Sequence, residues 1–456
     1  MNYSVYPKTS NRSIWSLLRS LPRTAAEAIN GFAAAWMASS ELRRNRTDLK
    51  WNEGAARSIL CLLDKTAEGC LRERAGQTIK LDSEPKELAD LKDLRNSAQM
   101  SSTDLQLVQH IYEAVAAANQ SNITRTRAYL ELFNEFPEIH WALLAHMVSR
   151  NGGWNMSDIK SGLMSDLTDD RFKNDLYRFL ERCNALIFQD AYPQLLLYKY
   201  SRQWKQSCFH LLPHFHISAF MTPFWDRFWL DRNSSLLTVA LIINEQNYIE
   251  GRVVKHPFFR KHVLNNPSFR LHELARLNQI IFPLGEMRWK HDLFHESIIP
   301  LRPLAGLTLN HFDNPSARIK SGKALYAMLF GYEQIYRGVL EYVQGTPHLG
   351  SRAEYWPALF TTQPCPAMNS NTESTELLKS EWLAADHRLY SPLLEDVWRD
   401  TEYEPIPRYD WFRDPSMLRH VTKPVRPLLV DMTHAHRAGL ERVAYVHDIQ
   451  SHMSQP

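Results

Sequence analysis

The chain has too few cysteines and too short an apolar run to suggest a disulfide-rich secreted protein or a membrane-spanning one. Its five cysteines are odd in number and none lie close together, so no disulfide framework is expected and a reducing, cytoplasmic location is predicted. The apolar stretch at residues 28–39 is shorter than the roughly 18 residues that cross a bilayer. We therefore expect neither a transmembrane span nor a signal peptide.

Positive charge exceeds negative charge only slightly over the whole chain, although the two are unevenly distributed along it. Lys and Arg number 53 and Asp and Glu number 50, so the net charge gives no strong indication of nucleic-acid binding. Residues 1–50 hold eight Lys or Arg against three acids, whereas residues 366–406 hold nine acids against three bases. The basic head is better explained as a packed helical arm with a solvated face, and contact with a membrane surface is the alternative.

The sequence lacks the motifs of several common enzyme classes. It has no GxSxG, no Walker phosphate loop, no GxGxxG after a strand and no CxxC pair. These absences argue against an α/β-type serine hydrolase, a P-loop nucleotidase, a dinucleotide-binding enzyme and a zinc ribbon.

Apolar residues recur mainly at helical spacing. One stripe follows Thr103-Asp104, and further helices are predicted over 170–188, 236–249, 269–281 and 322–343. No stretch shows repeated period-two alternation, so we predict a mainly α fold, an irregular multi-helix single body with a helical N-terminal arm and an extended C-terminal tail. The predicted divisions are a basic helical arm (1–75), a linker (76–103), the main helical domain (104–362) and an acidic, then irregular tail (363–456).

The densest group of polar side chains lies between residues 122 and 160. Pro137 and Gly152-Gly153 are typical of the two ends of a helix, because proline fits the first turn and glycine the left-handed exit. His146 and Arg150 are four residues apart and therefore share a helix face. The predicted exit loop and the start of a following helix carry Asn151, Trp154, Asn155, Ser157 and Asp158.

Two interpretations of this segment are open. In the first, Arg125 and Arg150 bind an anionic group of a small polar ligand. His146 then gives or takes a proton, and Asp158 fixes one of the two cations. In the second, the same side chains form a buried polar knot that satisfies the loop's own backbone and holds two helices together.

Several motifs follow one another in a distinctive order. They are NITRT (122–126), HWALLAHMVSRNGGWNMSDIK (140–160), IFQDAYPQLLLY (187–198), FHLLPHF (209–215), LIINEQNYIE (241–250) and HLGSRAEYWPALF (348–360). The pattern resembles an uncharacterised bacterial family, a domain of unknown function, over roughly residues 105–362. The resemblance implies a single body that contains these motifs. It implies no activity, cofactor or partner, and no catalytic residue is carried over from it.

Two further residues are candidates for the same pocket. Glu245 follows the apolar run 236–243 and must lie near the core boundary, where it is either half of a buried pair with Arg252 or a general base. Arg352, in the stretch GSRAEYWP, either joins the ligand pocket or anchors the last helix of the body.

Histidines supply the candidate metal ligands. His291 and His295 are four residues apart, the spacing that places two imidazoles on one helix face. A zinc or iron site would need a third ligand, and the candidates are His272, Glu273 and Glu296. A second histidine cluster, at residues 210–216, is interrupted by Pro213 and is better explained as an aromatic-rich loop.

Three hypotheses about function follow. The leading one is a non-catalytic interaction or scaffold protein with a polar ligand pocket in the 122–160 segment, and its partner is a protein or a small polar or anionic ligand. The second is a metal-assisted hydrolase with a divalent metal on His291 and His295. Glu245 or His146 would then be the acid–base group. The third is a peripheral membrane-surface protein that attaches through residues 1–50.

Overall fold

The computed structural model describes residues 33–76 without 34 and 39, 100–161, 168–267, 269, 278–285, 301–309, 311–364, 388–399, 409–413 and 415–440. These residues form a mainly α, single body, as predicted. Residues 1–32 of the predicted N-terminal arm and residues 77–99 of the predicted linker lie outside the described residues.

Nine helices of ten or more residues lie in the described ranges. They are α1 (Glu53–Gly76), α2 (Ser102–Ala118), α3 (Asn122–Glu135), α4 (His140–Asp158), α5 (Asp170–Trp204), α6 (Thr222–Asp231), α7 (Ser234–Ile249), α8 (Pro315–Gly331) and α9 (Glu333–Gly345). Shorter helical turns occur at Arg43–Asn45, Phe209–Phe215, Glu250–Val254, Pro257–Phe259, Arg260–Leu264, Arg352–Glu354, Leu394–Val397 and Pro415–His420. None of the described helices has the length and apolar character needed to span a membrane.

Side-chain caps explain where several helices begin. Ser121 and Thr124 form a capping box at the start of α3, because each side-chain oxygen accepts a hydrogen bond from the main-chain N–H of the other residue. Asp169 and Asn233 cap the first turns of α5 and α7. Caps of this kind each stabilise a helix by about 1 kcal/mol.

Helix α7 is the apolar centre of the body. Residues 235–244 are all buried, and the helix packs against α4, α5, α6 and α8. A helix without a polar face must be covered on all sides, so the predicted burial of the 236–243 run is confirmed. This burial places Glu245, which follows directly, at the edge of the core.

Two small sheets accompany the helices. β1 (Gln279–Pro283) and β2 (Leu304–Thr308) are antiparallel, and β3 (Phe360–Thr361) pairs in parallel with β4 (Leu389–Tyr390). The prediction of helix up to residue 281 is therefore wrong at its end. The short run QIIFP combines branched and aromatic residues that suit a strand, and it is too short for periodicity to decide.

One predicted helix is divided in two. The sequence predicted a single helix over 322–343, but α8 ends at Gly331 and α9 starts at Glu333. Tyr332 between them has an extended backbone, with φ −133° and ψ 111°. The turn lets both helices pack on the body with their own apolar faces.

The described parts of the tail pack on the helical body. The N–H of Met432 donates to the carbonyl oxygen of Leu304 at 2.8 Å, and the N–H of Gly306 donates to that of Val430 at 2.8 Å, so the tail borders β2. Asp410 accepts two hydrogen bonds from the loop before α6. Residues 409–413 and 415–440 therefore belong to the same body as the helices.

Candidate functional site

The segment singled out in the sequence forms one continuous helix. α4 runs through Gly152-Gly153 to Asp158, so the predicted helix end and the predicted Gly-Gly turn are wrong. The glycines allow close packing instead. A Cβ on Gly153 would lie 2.5 Å from Asn122 Oδ1 and 2.6 Å from His348 Nε2, and one on Gly152 would lie 2.8 Å from an Asn184 side-chain nitrogen.

Because α4 continues past the glycines, its side chains form two opposite faces. Residues four positions apart differ by about 40° around the helix axis, so four such residues span about 120° and share one face. The first face of α4 carries His146, Arg150, Trp154 and Asp158. The opposite face lines a cavity with Ala145, Val148, Gly152 and Asn155.

Two ion pairs of opposite orientation join the first face of α4 to the turn at residues 352–354. Arg150 Nη2 donates to Glu354 Oε2 at 2.6 Å. Arg352 donates to both carboxylate oxygens of Asp158, each 2.8 Å from its Nε. All four side chains are buried. Since each element supplies one acid and one base, the two pairs fix the position of α4 along this turn.

The Arg150 guanidinium has several further protein partners. It donates to two main-chain carbonyl oxygens at 3.0 and 3.1 Å and lies 4.6 Å from the ring centroid of Tyr342. Burial alone would raise the pKa of Glu354, but the adjacent His348 and Arg150 outweigh it and lower this pKa to about 2. The carboxylate of Glu354 is therefore ionised at neutral pH.

A third buried pair involves the other arginine of the segment. Arg125 on α3 pairs with Glu181 on α5 and donates to Asn119 Oδ1 at 3.1 Å. We refer to Arg125–Glu181, Arg150–Glu354 and Arg352–Asp158 as the ion-pair cluster. Sequence reasoning missed both glutamates. Glu354 lies inside the motif HLGSRAEYWPALF, which could have pointed to it, whereas no local pattern marks Glu181.

His146 and Trp154 are buried between these pairs. His146 Nδ1 lies 2.7 Å from the carbonyl oxygen of Thr126, and burial lowers the pKa of His146 to about 3, so the ring is uncharged at neutral pH. The Trp154 ring packs edge-on against Tyr355 with centroids 4.9 Å apart. Within the described part of the chain, His146 Nε2 and Trp154 Nε1 have no hydrogen-bond partner.

Asn151 connects α4 to β1 by imitating a neighbouring strand. Its side-chain oxygen accepts from the N–H of Ile281 at 2.8 Å, and its side-chain nitrogen donates to the carbonyl oxygen of the same residue at 2.7 Å. Both main-chain groups of Ile281 are thereby satisfied on this side of the hairpin. Asn151 also lines the cavity, so this contact places β1 at the cavity wall.

The second face of α4 borders a cavity of ≈ 260 Å³. The walls come from α3, α4, α5, α7, α8 and the region around β1. They are mainly apolar, with Leu144, Val148, Phe179, Ile187, Ile280 and Leu325 among the lining residues. A cavity of about 150 Å³ is enough for one benzene molecule. This cavity therefore accommodates a molecule of roughly ten non-hydrogen atoms.

Glu245 and its neighbours form a polar corner of the cavity. Glu245 Oε2 accepts a hydrogen bond from Trp141 Nε1 at 3.1 Å, and Oε1 accepts one from Gln246 Nε2 at 3.2 Å. Burial raises the pKa of Glu245 to about 8, and the nearby Asp190 adds to the rise. A pKa this far from its ordinary range is common at functional sites.

The pair predicted between Glu245 and Arg252 is absent. The chain widens into a π-helical turn at Glu250–Val254, so a spacing of seven no longer places both residues on one face. Arg252 lies instead 3.9 and 4.2 Å from the centroids of two tyrosine rings. Arg318, which lines the same cavity, is paired with Glu250. Among the described residues, Glu245 thus has no partner of opposite charge.

All the candidate metal ligands lie outside the described residues. They are His291, His295, His272, Glu273 and Glu296. In the ranges that the structure describes, no group of three or more His, Cys, Asp or Glu side chains is placed to hold a metal ion. The second histidine cluster was predicted as a loop, but His210 and His214 lie in a short 3₁₀ helix, Phe209–Phe215, and His216 follows it. His210 Nε2 lies 3.5 Å from Asp104 Oδ1.

Comparison with known proteins identifies the family. A family model described as "Protein of unknown function (DUF2515)" matches residues 117–434. The chain belongs to the DUF2515 family. A protein of Bacillus subtilis (strain 168) described as "Uncharacterized protein YppC" is 38% identical over 246 residues, which cover 54% of this chain and 72% of that protein. No solved structure matches the chain.

The DUF2515 match contains both faces of α4. It covers all three pairs of the ion-pair cluster and every described residue that lines the cavity. It also continues beyond residue 362, where the resemblance in the sequence ended, and includes most of the tail that packs on the body. The cluster and the cavity therefore lie in the region that defines the family.

Proposed function

We propose that this DUF2515 protein is a non-catalytic binding protein that encloses a small, largely apolar molecule in the cavity beside α4. The observation that carries the proposal is the mainly apolar cavity of ≈ 260 Å³ between α4, α5, α7 and α8. Protein interiors leave few voids larger than a water molecule. The space is partly open to solvent and its walls are mainly apolar, so a molecule that fills it removes apolar surface from water, which is favourable by about 25 cal/mol per Å².

In this proposal the 122–160 segment forms part of the cavity wall and holds the neighbouring helices in position. Arg125, Arg150 and Asp158 are held in buried ion pairs, which favours a role in positioning helices over direct contact with a ligand. Asn151 and Asn155 line the cavity and are the segment's candidate ligand contacts. The proposed pocket thus uses the face of α4 opposite to the ion-pair cluster.

The two alternative functions stay predictions from the sequence. The histidines of the metal-assisted hydrolase and residues 1–32 of the basic head lie outside the described residues. A cytoplasmic location is also part of the proposal. It is supported by the three cysteines whose side chains the structure describes, Cys61, Cys183 and Cys208, which are all free thiols.

The test is to fill the cavity from α4. Ala145 lines it, so Ala145→Phe should place a ring in the space that the ligand needs, and Val148→Phe should do the same from the next turn. The matched control is Ala117→Phe, which adds the same ring at an exposed position of α2. Full-length proteins would be titrated by calorimetry with three neutral probes, toluene, indole and phenylbutanol.

We expect at least one probe to bind the wild-type protein and the Ala117→Phe control, with Kd between about 10 μM and 1 mM for a molecule of this size. The two cavity-filling variants should lose this binding and keep their melting transition. If no probe binds the wild-type protein, or if binding survives in both filled variants, the proposed site is wrong.

A further inference from the structure

Glu245 is the one acidic or basic lining residue, among those the structure describes, that lacks an oppositely charged partner for its ionised form. The ionisable groups among the described lining residues are Glu245, Arg318, Tyr129 and Cys183. Arg318 is balanced by Glu250. Burial raises the pKa of the Tyr129 hydroxyl and raises that of the Cys183 thiol to about 12, so both are neutral at physiological pH.

The hydrogen bonds of Glu245 leave acceptor positions open. A carboxylate offers about four such positions, and Trp141 and Gln246 occupy two of them. The orientation of the Gln246 amide is fixed, because its oxygen accepts from Arg318 Nε at 2.8 Å and its nitrogen therefore points to Glu245. Both donors to Glu245 are neutral, so neither would cancel the charge of the ionised carboxylate.

The charges around this corner disfavour an anion. Asp190 on α5 is buried, which raises its own pKa to about 7, and its ionised form raises the pKa of Glu245. An anionic head group at the corner would thus be repelled by the ionised Glu245 and, through space, by the ionised Asp190. A cationic head group would instead pair with the ionised Glu245, because a buried charge is favourable only when it is paired.

We propose that the ligand of this cavity is an amine with a compact apolar body, whose protonated nitrogen pairs with the Glu245 carboxylate. The assignment rests on the proposed function, since it names the head group of the enclosed molecule. It differs from the anionic ligand expected from the sequence, because Arg125, Arg150 and Arg352 each already face a carboxylate.

Three probes with the same phenylbutyl body and different head groups test the assignment. Phenylbutylamine, phenylbutanol and phenylbutyrate would be titrated into the full-length protein at pH 8.5, where an alkylamine of pKa about 10.4 is still protonated. We expect the amine to bind about ten- to a hundredfold more tightly than the alcohol, and the carboxylate to bind most weakly.

The pH dependence provides a second readout. Pairing with the amine requires the ionised form of Glu245, whose pKa is about 8. Lowering the pH from 8.5 to 6.5 should therefore weaken amine binding by roughly twentyfold, because a proton must leave Glu245 on binding. The affinity for phenylbutanol should change far less over the same interval.

Variants at Glu245 separate charge from shape. Glu245→Gln keeps the size of the side chain and removes its charge, so the ratio of amine to alcohol affinity should fall to about one or below. Glu245→Asp keeps the charge and should retain part of the ratio. Glu333→Gln, at an exposed acid of α9, is the matched control and should leave the ratio at its wild-type value.

The outcomes distinguish this assignment from the proposed function. If phenylbutanol binds in the cavity but the amine is not preferred, or if the preference survives in Glu245→Gln, the amine assignment is wrong and the proposed function stands. If none of the three probes binds the wild-type protein, the proposed function fails and the assignment fails with it.

Discussion

Replacing Arg150 by alanine should destabilise the protein strongly. The side chain is 1% exposed and pairs with Glu354 at 2.6 Å, in addition to its hydrogen bonds to two carbonyl oxygens. Removal of one partner leaves the other charge buried and uncompensated, which costs about 3–5 kcal/mol. Because native domains are stable by about 5–15 kcal/mol, urea unfolding followed by circular dichroism should show a large drop in the midpoint.

An exposed ion pair provides the matched control for this experiment. Arg337 and Glu333 lie 2.7 Å apart, but their side chains are 72% and 42% exposed, so Arg337→Ala should cost less than about 1 kcal/mol. A double-mutant cycle of Arg150→Ala and Glu354→Ala should give a coupling of about 2–3 kcal/mol. Equal midpoints for Arg150→Ala and Arg337→Ala would refute the structural role and make Arg150 a candidate ligand contact again.

The remaining predictions concern Glu245, Gly153 and Asn151. The folded-state pKa of Glu245, about 8, lies above the unfolded value of about 4.3, so its contribution to stability is present at low pH and is lost as the pH rises through 8. The free energy of unfolding of Glu245→Gln, measured with urea, should therefore increase relative to that of the wild-type protein as the pH rises, by at most about 5 kcal/mol. A difference between the two proteins that stays constant from pH 5 to 9 would contradict this. Gly153→Ala should destabilise the protein by about 1–3 kcal/mol in the same assay, because the added Cβ would clash with Asn122 and His348. Gly345→Ala is the control, because a Cβ at that position has no other atom within 4 Å. Equal effects of the two substitutions would rule out the packing role of Gly153. Asn151→Ala should speed hydrogen exchange at the Ile281 amide, and unchanged protection there would argue against the strand-like contact.

Helical periodicity was sufficient to predict the mainly α fold and several of its helices. The helix predicted from residue 170 does begin at Asp170, and the predicted 236–249 helix corresponds to Ser234–Ile249. Both starts carry a capping side chain next to an apolar stripe, so the local sequence and the packed structure favour the same conformation. The end of α4 was wrong because the glycine rule considers only the backbone, whereas Gly152 and Gly153 are required by side chains on other elements.

The site could be predicted only in part. Its polar residues were identified, but the partners in the ion-pair cluster are separated by 56, 204 and 194 residues along the chain. Such pairs depend on how helices pack, and local spacing carries no information about this. The cavity likewise depends on how the helices pack, since its described lining residues come from α3, α4, α5, α7, α8 and β1 and from loops between elements. Glu245 was located at the core boundary from the apolar run before it, although the space that it faces was not predictable.

A crystal structure of the full-length protein with phenylbutanol tests the central claim most directly. The account predicts electron density for the phenyl ring inside the cavity, in contact with Ala145 of α4 and Leu325 of α8. Density for the probe only at the protein surface, or a cavity that stays unfilled at saturating phenylbutanol, would contradict it.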